Sequence, residues 1–408
     1  MLWIIGKVFT DFQQYLDNHA IPYGVFVDKQ KPISLPDSVQ SLALDMSSKA
    51  ATFDSLQALP ISPDVSAVMT AGYEQYVVPA AWISEYFKVP GPSINAAIAA
   101  TNKSVMRKAF MEHDTSITPH YQQVSSWQDV EKFMESHSFP VMLKPTNLMK
   151  SLFVTQNSTP EELRDNYRLM TEELPRLKQE LGLVEVPGII IEECMVGSMH
   201  TVAGFVDSRG GVTLLPEIAD CITAQNLGLS DNYLYSRTLP TTLSQDDQAS
   251  VLSVARSGVQ ALGLTSSPLH IEIILMTTGP KIIEIGARIG GYRSRMYAYS
   301  CGFDMYQASI DTAHDRLLRP CEAATKSCAF IEIFADMQGT FTSIQNLDQL
   351  DNLKNLISFS PKRKPGDLVG PAKMGYRAAL VIMLGDGNLT SFQKDAEYIR
   401  DNLKVLVS

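Results

Sequence analysis

Two apolar segments of the chain, HIEIILM and PKIIEIG, flank the short sequence Thr277-Thr278-Gly279. This pattern predicts a β-hairpin with a three-residue loop, because glycine at the last loop position can adopt the positive φ that such a turn requires. Side chains alternate along a strand, so Glu272 and Glu284 are expected on one face of the ribbon. Folding the chain about Thr278 predicts four cross-strand pairs: Met276 with Pro280, Ile274 with Ile282, Glu272 with Glu284, and His270 with Gly286.

The opposite face of this ribbon is expected to be apolar. Its predicted members are Ile271, Ile273, Leu275, Ile283 and Ile285. Ile274 and Ile282 flank the glutamates, so most of the ribbon is expected to be buried. Two facing, partly buried carboxylates require a raised pKa or a cation between them, and a divalent metal ion is the simplest solution.

Two other interpretations of the ribbon stay open at this point. A one-residue shift caused by Pro280 would place the glutamates on opposite faces, and an exposed ribbon with solvated glutamates would need no metal. The residues that follow favour a site, since three glycines and three arginines come next: Gly286, Gly290, Gly291, Arg288, Arg293 and Arg295. Carboxylates for a metal beside guanidinium groups for anions form the charge arrangement of a phosphoryl-transfer site.

The first hundred residues alternate short apolar segments with helical patterns. The segments LWIIG, YGVFVD and VSAVMTAG predict strands, and DFQQYLDNHA and PAAWISEYF predict helices, which indicates a βα layout with a parallel sheet. Gly6 follows the first strand, but the GxGxxG pattern of dinucleotide-binding turns is absent there.

The rest of the chain mixes helices and strands. Two helices, NKSVMRKAFMEHD and SWQDVEKFMESH, lead to the strands FPVMLKP and LFVTQ, a long charged helix and the strand GIIIEECM. After residue 310 the pattern predicts a strand CAFIEIFAD, a helix near LDQLDNLKNL, a strand YRAALVIMLGDG and a closing helix. The predicted fold class is therefore α/β combined with α+β.

The composition places limits on what the chain does. Its 408 residues predict two or three domains, and 45% apolar with 19% charged residues is typical of a globular protein. The net charge of −10 argues against a nucleic-acid partner, and no segment approaches the ~20 apolar residues of a membrane span. The five cysteines have no CxxC spacing, which favours reduced thiols in a cytoplasmic protein.

Charged residues also stand at the ends of predicted elements elsewhere. Lys103 begins a helix and Lys144 ends an apolar strand, although either lysine alone could be a solvated surface group. Glu192 and Glu193 follow Ile189-Ile190-Ile191, and a strand buried enough to carry three isoleucines seldom ends in two acids without a function. Backbone groups at such a strand end can bind a flat heterocycle.

The order of these residues resembles the ATP-grasp superfamily. The matching residues are Lys103, Lys144, Glu192, Glu193, Glu272, Glu284 and Arg288, set in the motifs FPVMLKP, IIIEECMVG and HIE…IIEIGAR. The tail also resembles the C-terminal region of the biotin-carboxylase-like and L-amino-acid-ligase-like branches. The resemblance implies an ATP-grasp fold in three parts: a Rossmann-like pre-ATP-grasp domain at 1–100, an ATP-grasp domain at 101–310 with a mobile lid at about 121–193, and an α+β region at 311–408.

The resemblance assigns roles to the matching residues. Those implied to contact ATP are Lys103, Lys144, Lys150, Ser151, Glu192, the carbonyl of Glu193, the amide of Met195, and His200. Glu272 and Glu284 are implied to bind one or two Mg²⁺ ions, or Mn²⁺ in their place. Arg288 is implied to act with Lys144 in catalysis by steadying the transferred phosphoryl group and the substrate. Arg293 and Arg295 are further candidates to bind a substrate carboxylate, or else solvated loop residues.

Three positions depart from the family pattern. Gly286 stands where an asparagine usually completes the metal site, so the number of ions is open. The loop after Lys144, which is normally rich in glycine, reads TNLMKS. Met199 replaces a glutamate that often supports ribose or metal, and His200 or another group is the expected substitute.

The family activity implied for this chain is ATP-dependent carboxylate–amine ligation. ATP phosphorylates a carboxylate, and an amine attacks the acyl phosphate with release of ADP and phosphate; amino acids are the expected substrates. A kinase that stops at a phosphorylated product and an ATP-binding module without catalysis are the alternatives. Small molecules are the expected partners, with a homodimer as one expected assembly.

Overall fold

The computed structural model describes residues 1–148, 152–181, 185–229, 231, 233–386 and 389–408. Lys150 and Ser151, both predicted to contact ATP, lie outside the described residues. The described strands form four sheets, and the architecture is the predicted mixture of α/β and α+β. No helix in the described part of the chain is long and apolar enough to cross a membrane.

The first hundred residues form a parallel sheet with helices between its strands. Its elements are β1 (Leu2–Ile5), α1 (Thr10–Asn18), β2 (Tyr23–Asp28), β3 (Gln40–Leu44), α2 (Lys49–Gln57), β4 (Ala67–Thr70), α3 (Val77–Phe87) and α4 (Ile94–Ala99). The strand order is β3-β2-β1-β4, and every pair is parallel. After β4 the chain enters a 3₁₀ turn, Glu74–Tyr76, at the carboxyl edge of the sheet, where parallel sheets place ligand-binding groups.

A second sheet is antiparallel and has a core of its own. Its region comprises α5 (Lys103–His113), β5 (Tyr121–Val124), α6 (Trp127–Met134), β6 (Val141–Pro145), β7 (Thr155–Asn157), α7 (Pro160–Leu181) and β8 (Ile189–Glu193). The strand order is β5-β8-β6-β7. Helices α6 and α7 cover it with apolar side chains such as Val130, Leu163 and Met170, which are buried with Leu143 and Ile191 of the strands.

The third and largest sheet has eight strands in the order β13-β12-β9-β10-β11-β14-β18-β16. Those strands and the helices beside them are β9 (Ser198–Val206), β10 (Val212–Thr223), β11 (Leu234–Leu239), α8 (Gln245–Leu262), β12 (Ser267–Met276), β13 (Gly279–Gly286), α9 (Arg293–Cys301), α10 (Met305–Ala313), β14 (Cys328–Ile333), β16 (Leu356–Pro361) and β18 (Leu380–Gly385). Helix α8 packs on one face with Ile271, Ile273 and Ile282, and helices α9 and α10 pack on the other with Phe330.

The C-terminal residues complete this sheet and add a small one. The remaining elements are β15 (Gly339–Gln345), β17 (Leu368–Val369), α11 (Leu389–Asn402) and β19 (Lys404–Val407), and the small sheet has the order β17-β15-β19. The helix expected near LDQLDNLKNL is a 3₁₀ helix over Leu347–Asn352. Strands β14, β18 and β16 continue the sheet that holds the ribbon, so the tail shares its main sheet with the preceding region.

The predicted ribbon is β12 paired with β13, and its register is correct at one end only. His270 pairs with Gly286 and Glu272 with Glu284, as expected, but Met276 pairs with Gly279. The loop has two residues, not three, and Gly279 carries a φ of +114°. A bulge next to Glu284 restores the predicted register, because one extra residue on β13 offsets the shorter turn.

The bulge also changes which isoleucine enters the core. Ile282 is fully buried with Ile271, Ile273 and Ile285, whereas Ile283, which was expected there, is partly exposed. Ile282 needs the close approach of α8, since a Cβ at Gly258 would lie 2.2 Å from its Cδ1 atom.

Candidate functional site

The two glutamates of the ribbon face each other beside a lysine from α5. The Glu272 and Glu284 side chains are 19% and 22% exposed, and the Nζ atom of Lys103 lies 3.2 Å from Oε2 of Glu284. Lys103 also donates to the carbonyl of Leu148 at 3.1 Å, so its ammonium is held in place. Burial alone would raise the pKa of the Glu284 carboxyl, but the charges of Lys103 and Arg288 overcome burial and lower it.

Arg288 lies on the same side and is paired with a glutamate from the parallel sheet. Its Nη2 and Nε atoms lie 3.0 and 3.3 Å from Oε2 of Glu74, which belongs to the 3₁₀ turn after β4. Burial is the main reason that the pKa of Glu74 is raised, and Glu284 adds to it, although Arg288 acts in the opposite direction. Glu74 was not predicted from the sequence, although a signal exists: it is an acid that follows closely on the carboxyl end of a buried parallel strand.

Three carboxylates and two fixed cations therefore surround this part of the ribbon, namely Glu74, Glu272 and Glu284 with Lys103 and Arg288. The nearest partner of Glu272 is Nε2 of His270 at 3.3 Å, and burial lowers the pKa of that imidazole, which keeps it neutral at pH 7. The three carboxylates carry one more charge than the two cations compensate. A net negative charge on carboxylate oxygens suits a divalent cation such as Mg²⁺. The three carboxylates do not by themselves form a three-ligand metal site, since no group of three or more His, Cys, Asp or Glu side chains among the described residues could hold a metal ion.

The carboxylate of Glu192 is bound by ion pairs from two other elements. Its side chain is fully buried between two cations: Nε of Arg107 lies 2.7 Å from Oε1, and Nζ of Lys144 lies 2.5 Å from Oε2. Burial would raise the pKa of Glu192, but Arg107 and Lys144 lower it to about 2. Both carboxylate oxygens of Glu192 are thus bound by ion pairs, and its contact with ATP stays a prediction.

Arg107 was not predicted from the sequence, although it connects three elements. It lies on α5, it pairs with Glu192 of β8, and its Nη2 atom donates at 2.7 Å to the carbonyl of Ile283 at the ribbon's bulge. A signal exists in the sequence, since Arg107 follows Lys103 by four residues and both therefore share one face of the helix.

The segment that joins β8 to β9 links the antiparallel sheet to the ribbon's sheet. Glu193 pairs with Nζ of Lys281 on β13 at 2.6 Å, and its backbone amide donates to the carbonyl of His120 at 3.0 Å. Met195 is half-buried in the loop that follows. The structure thus brings the predicted residues Glu193 and Met195 to the junction between the two sheets.

His200 is not brought to the carboxylate face. Across β9 and β12, Thr201 is paired with Glu272 and His200 with Ile273. Paired residues share a face, so the His200 side chain points to the opposite side of the sheet from both glutamates. The structure therefore does not bring His200 together with Glu272 and Glu284, and its contact with ATP stays a prediction.

Arg293 and Arg295, which follow the ribbon, differ in burial: Arg293 is buried and Arg295 is exposed. Arg293 is 1% exposed at the start of α9, where Nη2 hydrogen-bonds Thr201 and Nη1 lies 3.1 Å from Sδ of Met296. The Nε atom of Arg293 has no hydrogen-bond partner, and burial lowers the pKa of the guanidinium group. Thr201 is paired with Glu272, so Arg293 lies under the carboxylate face and is not a solvated loop residue.

Arg295 lies outside this cluster. Its side chain is exposed, and the guanidinium is 5.9 Å from the ring centroid of Phe330. It lines a separate cavity of about 280 Å³ with Tyr15 and Tyr306. The structure does not place Arg295 with the ribbon's glutamates, because it points away from Arg293 on α9.

The glycines after the ribbon allow close packing. A Cβ at Gly290 would lie 2.4 Å from Nδ1 of His270, so only glycine fits above that ring. Gly286, in contrast, has room: a Cβ there would lie at an ordinary 3.5 Å from Cγ of Arg288.

The chain is similar to ligases of known sequence. Phosphoribosylamine–glycine ligase of Methanothermobacter thermautotrophicus is 28% identical over 210 residues, which cover 49% of this chain and 47% of that protein. Alanine–anticapsin ligase of Bacillus subtilis (strain 168) is 25% identical over 253 residues, which cover 60% and 53% of the two proteins. The chain thus spans about half the length of these relatives.

Structure comparison and a family model agree with this similarity. The L-amino acid ligase from Bacillus licheniformis has the same fold, with a TM-score of 0.79, 19% identity, and coverage of 100% of this chain and 98% of that one. Residues 137–295 match the family model of the ATP-grasp domain, and these residues include the opposed glutamates and Arg288. Residues 137–295 of the chain are therefore similar to the ATP-grasp domain.

Proposed function

We propose that this chain is an ATP-dependent carboxylate–amine ligase. It activates a small-molecule carboxylate as an acyl phosphate and joins it to an amine, releasing ADP and phosphate. The observation that carries the proposal is the opposed pair Glu272–Glu284, flanked by Lys103 and Arg288 within an ATP-grasp domain. The ligase names of the two relatives support carbon–nitrogen bond formation.

Glu272 and Glu284 are the proposed ligands of Mg²⁺, which, when bound, neutralises phosphate charge and polarises the phosphoryl oxygens. Lys103 is held by Glu284 and Leu148, so its charge is in position before the nucleotide arrives. Such a preorganised cation stabilises charge on phosphate oxygens without a cost of rearrangement during the reaction. We assign Glu192 to holding Lys144, and the backbone of Glu193 and Met195 to the adenine.

An amino acid is the proposed substrate because of the pair formed by Arg288 and Glu74. The two side chains, 17% and 11% exposed, bind each other at 3.0 Å beside the ribbon. A zwitterion carries one carboxylate and one ammonium, so it can replace this pair by two new ones, with its carboxylate on Arg288 and its ammonium on Glu74. In this exchange both Arg288 and Glu74 gain a new partner of opposite charge, so no buried charge is left uncompensated.

Arg293 is the proposed second contact for a substrate anion. Its buried guanidinium has no carboxylate partner among its hydrogen bonds, which go to Thr201, Met296 and Cys221. A buried cation without a counter-charge is costly, and an anion bound above Thr201 would compensate it.

We further propose that the sheet β5-β8-β6-β7 with α6 and α7 is a lid, with the predicted limits of about 121–193, between a pre-ATP-grasp domain at 1–100 and the rest of the ATP-grasp domain. The lid has its own apolar core and meets the ribbon through Glu193 and Lys281. Closure would exclude water from an acyl phosphate, which hydrolyses readily.

The test is an ADP-release screen with Mg²⁺ over pairs of amino acids and small amines. Ligation predicts release that requires both a carboxylate and an amine, with a coupled product detected by mass spectrometry. Release with one substrate alone would favour a kinase, and thermal stabilisation by ATP without any turnover would favour a binding module.

A further inference from the structure

A second group of reactive side chains lies on the sheet face opposite the ribbon's carboxylates. The Oγ atom of Ser198 lies 2.6 Å from Nε2 of His200, and Nδ1 of the same ring lies 3.0 Å from Oδ1 of Asp220. Ser198 and His200 are two residues apart on β9, so their side chains share a face, and Asp220 is the cross-strand partner of His200 on β10. Serine, histidine and aspartate thus form a hydrogen-bonded series in the order used by serine nucleophiles.

The aspartate is held rigidly by the loop that precedes α8. Its Oδ1 atom accepts a hydrogen bond from Oγ1 of Thr241 at 2.5 Å. Its Oδ2 atom accepts from the amide and the hydroxyl of Thr242 at 2.8 and 2.7 Å. Burial would raise the pKa of Asp220, but the hydrogen bonds from His200, Thr241 and Thr242 lower it, so the carboxylate is charged at neutral pH.

The charge on Asp220 decides which nitrogen of His200 carries the proton. A carboxylate only accepts hydrogen bonds, so Nδ1 must donate to it, and Nε2 of the neutral ring is then an acceptor. The Ser198 hydroxyl therefore donates to Nε2, which is the arrangement for removal of its proton. His200 is 3% exposed whereas Ser198 is exposed, so the base is shielded from solvent and the serine lies at the surface.

We propose that Ser198 is an activated nucleophile that accepts acyl groups from activated esters. Oγ attacks the ester carbonyl while Nε2 of His200 takes the hydroxyl proton, and the proton then passes to the departing alcohol. Water attacks the resulting acyl-serine, His200 again relays a proton, and the carboxylic acid leaves with Ser198 restored. Asp220 is a positioning residue that keeps His200 in the required tautomer.

The rate is expected to be modest. Ser198 is paired with Leu275 inside the sheet, and the strand's neighbouring residues are paired on both sides, which leaves few backbone amides to bind an oxyanion. Loss of a single oxyanion donor costs serine enzymes about 10²–10³ in kcat, so only substrates with good leaving groups should react.

The experiment is labelling of the full chain with a fluorophosphonate probe and with p-nitrophenyl acetate, followed by peptide mass spectrometry. We expect one adduct per chain at Ser198, absent in Ser198→Ala and unchanged in Ser158→Ala, which removes an exposed serine elsewhere. His200→Gln and Asp220→Asn should slow labelling at least tenfold. ADP release by the ATP site should be unaffected in Ser198→Ala. Failure of the serine proposal can therefore be distinguished from failure of the proposed ligase activity.

The wild-type chain alone can overturn the proposal, whether or not the variants fold. An unmodified Ser198, or labelling of Ser198 no faster than of Ser158, would show that the three side chains form only a structural hydrogen-bond series. Labelling that persists at the same rate in a folded His200→Gln variant, judged by circular dichroism, would also contradict it.

Discussion

Replacement of Glu192 by glutamine would leave Arg107 and Lys144 buried without their counter-charge. All three groups are inaccessible or nearly so, with side chains 0%, 0% and 7% exposed. Loss of one partner from a buried ion pair costs about 3–5 kcal/mol, since the remaining charge has no solvent to compensate it.

The pKa of Glu192 provides a second route to this magnitude. It falls from an ordinary 4.5 to about 2 in the folded protein, chiefly because Arg107 and Lys144 outweigh burial. At 1.36 kcal/mol per pH unit the difference corresponds to about 3 kcal/mol of folding free energy. Because the folded-state pKa is the lower one, this stabilisation is present above pH 4.5 and is lost as the pH falls towards 2.

The assay is urea unfolding of wild type and Glu192→Gln at pH 7 and in steps down to pH 3, followed by the intrinsic fluorescence of the three tryptophans, of which Trp127 lies in α6. The free energies of unfolding should differ by about 3–5 kcal/mol at pH 7 and should converge as the pH falls below 4.5. Glu180→Gln is the matched control, because its pair with Arg176 is exposed to solvent and is expected to contribute little to stability. A difference below 1 kcal/mol at pH 7, or one that does not shrink with acid, would refute the reasoning.

Three further changes test the ribbon and its surroundings. Glu284→Gln should abolish ATP-dependent turnover in a folded protein, and full ADP release by this variant would contradict the metal assignment. Gly286→Asn should lower the Mg²⁺ concentration needed for half-maximal turnover, because the position has room for a third ligand and an amide oxygen suits Mg²⁺; an unchanged requirement would count against that. Gly290→Ala should destabilise the protein by about 1–3 kcal/mol in urea unfolding, since the new Cβ meets the buried His270 ring at 2.4 Å, and unchanged stability would show that the ring can move.

The glutamate pair was predictable from the sequence because strand alternation is a local property. Two strands with equal spacing from a turn place Glu272 and Glu284 together, and the structure has that pair. The turn itself was predicted one residue too long, and the bulge at Ile283 compensated for the error. Bulges depend on packing, here on Arg107 and α8, and a single strand's pattern does not reveal them.

The residues that were missed or misplaced depend on contacts between distant segments. Glu74 becomes part of the site only because the parallel sheet meets the ribbon 214 residues later in the chain. His200 lies on the face opposite the glutamates, and the sequence did not reveal this because the motif fixes its position along β9 but not the face to which its side chain points. Glu192 was predicted as a site residue from the sequence. Its ion pairs with Arg107 and Lys144 were not predicted, because both partners lie on other elements.

The continuity of the eight-stranded sheet has a consequence for how the chain is made. Strand β11 is completed about 90 residues before its partner β14 begins, so at 5–20 residues per second its open edge waits roughly 5–20 s on the ribosome. An open edge is a template for pairing with other chains, and an inward-pointing charge is one natural protection against this. Arg237 on β11 is such a charge, and in the finished sheet it is bound at 2.7 Å by Glu332 of β14. Arg237 therefore disfavours pairing of β11 with other chains during synthesis, and Glu332 compensates its charge once β14 has paired with β11.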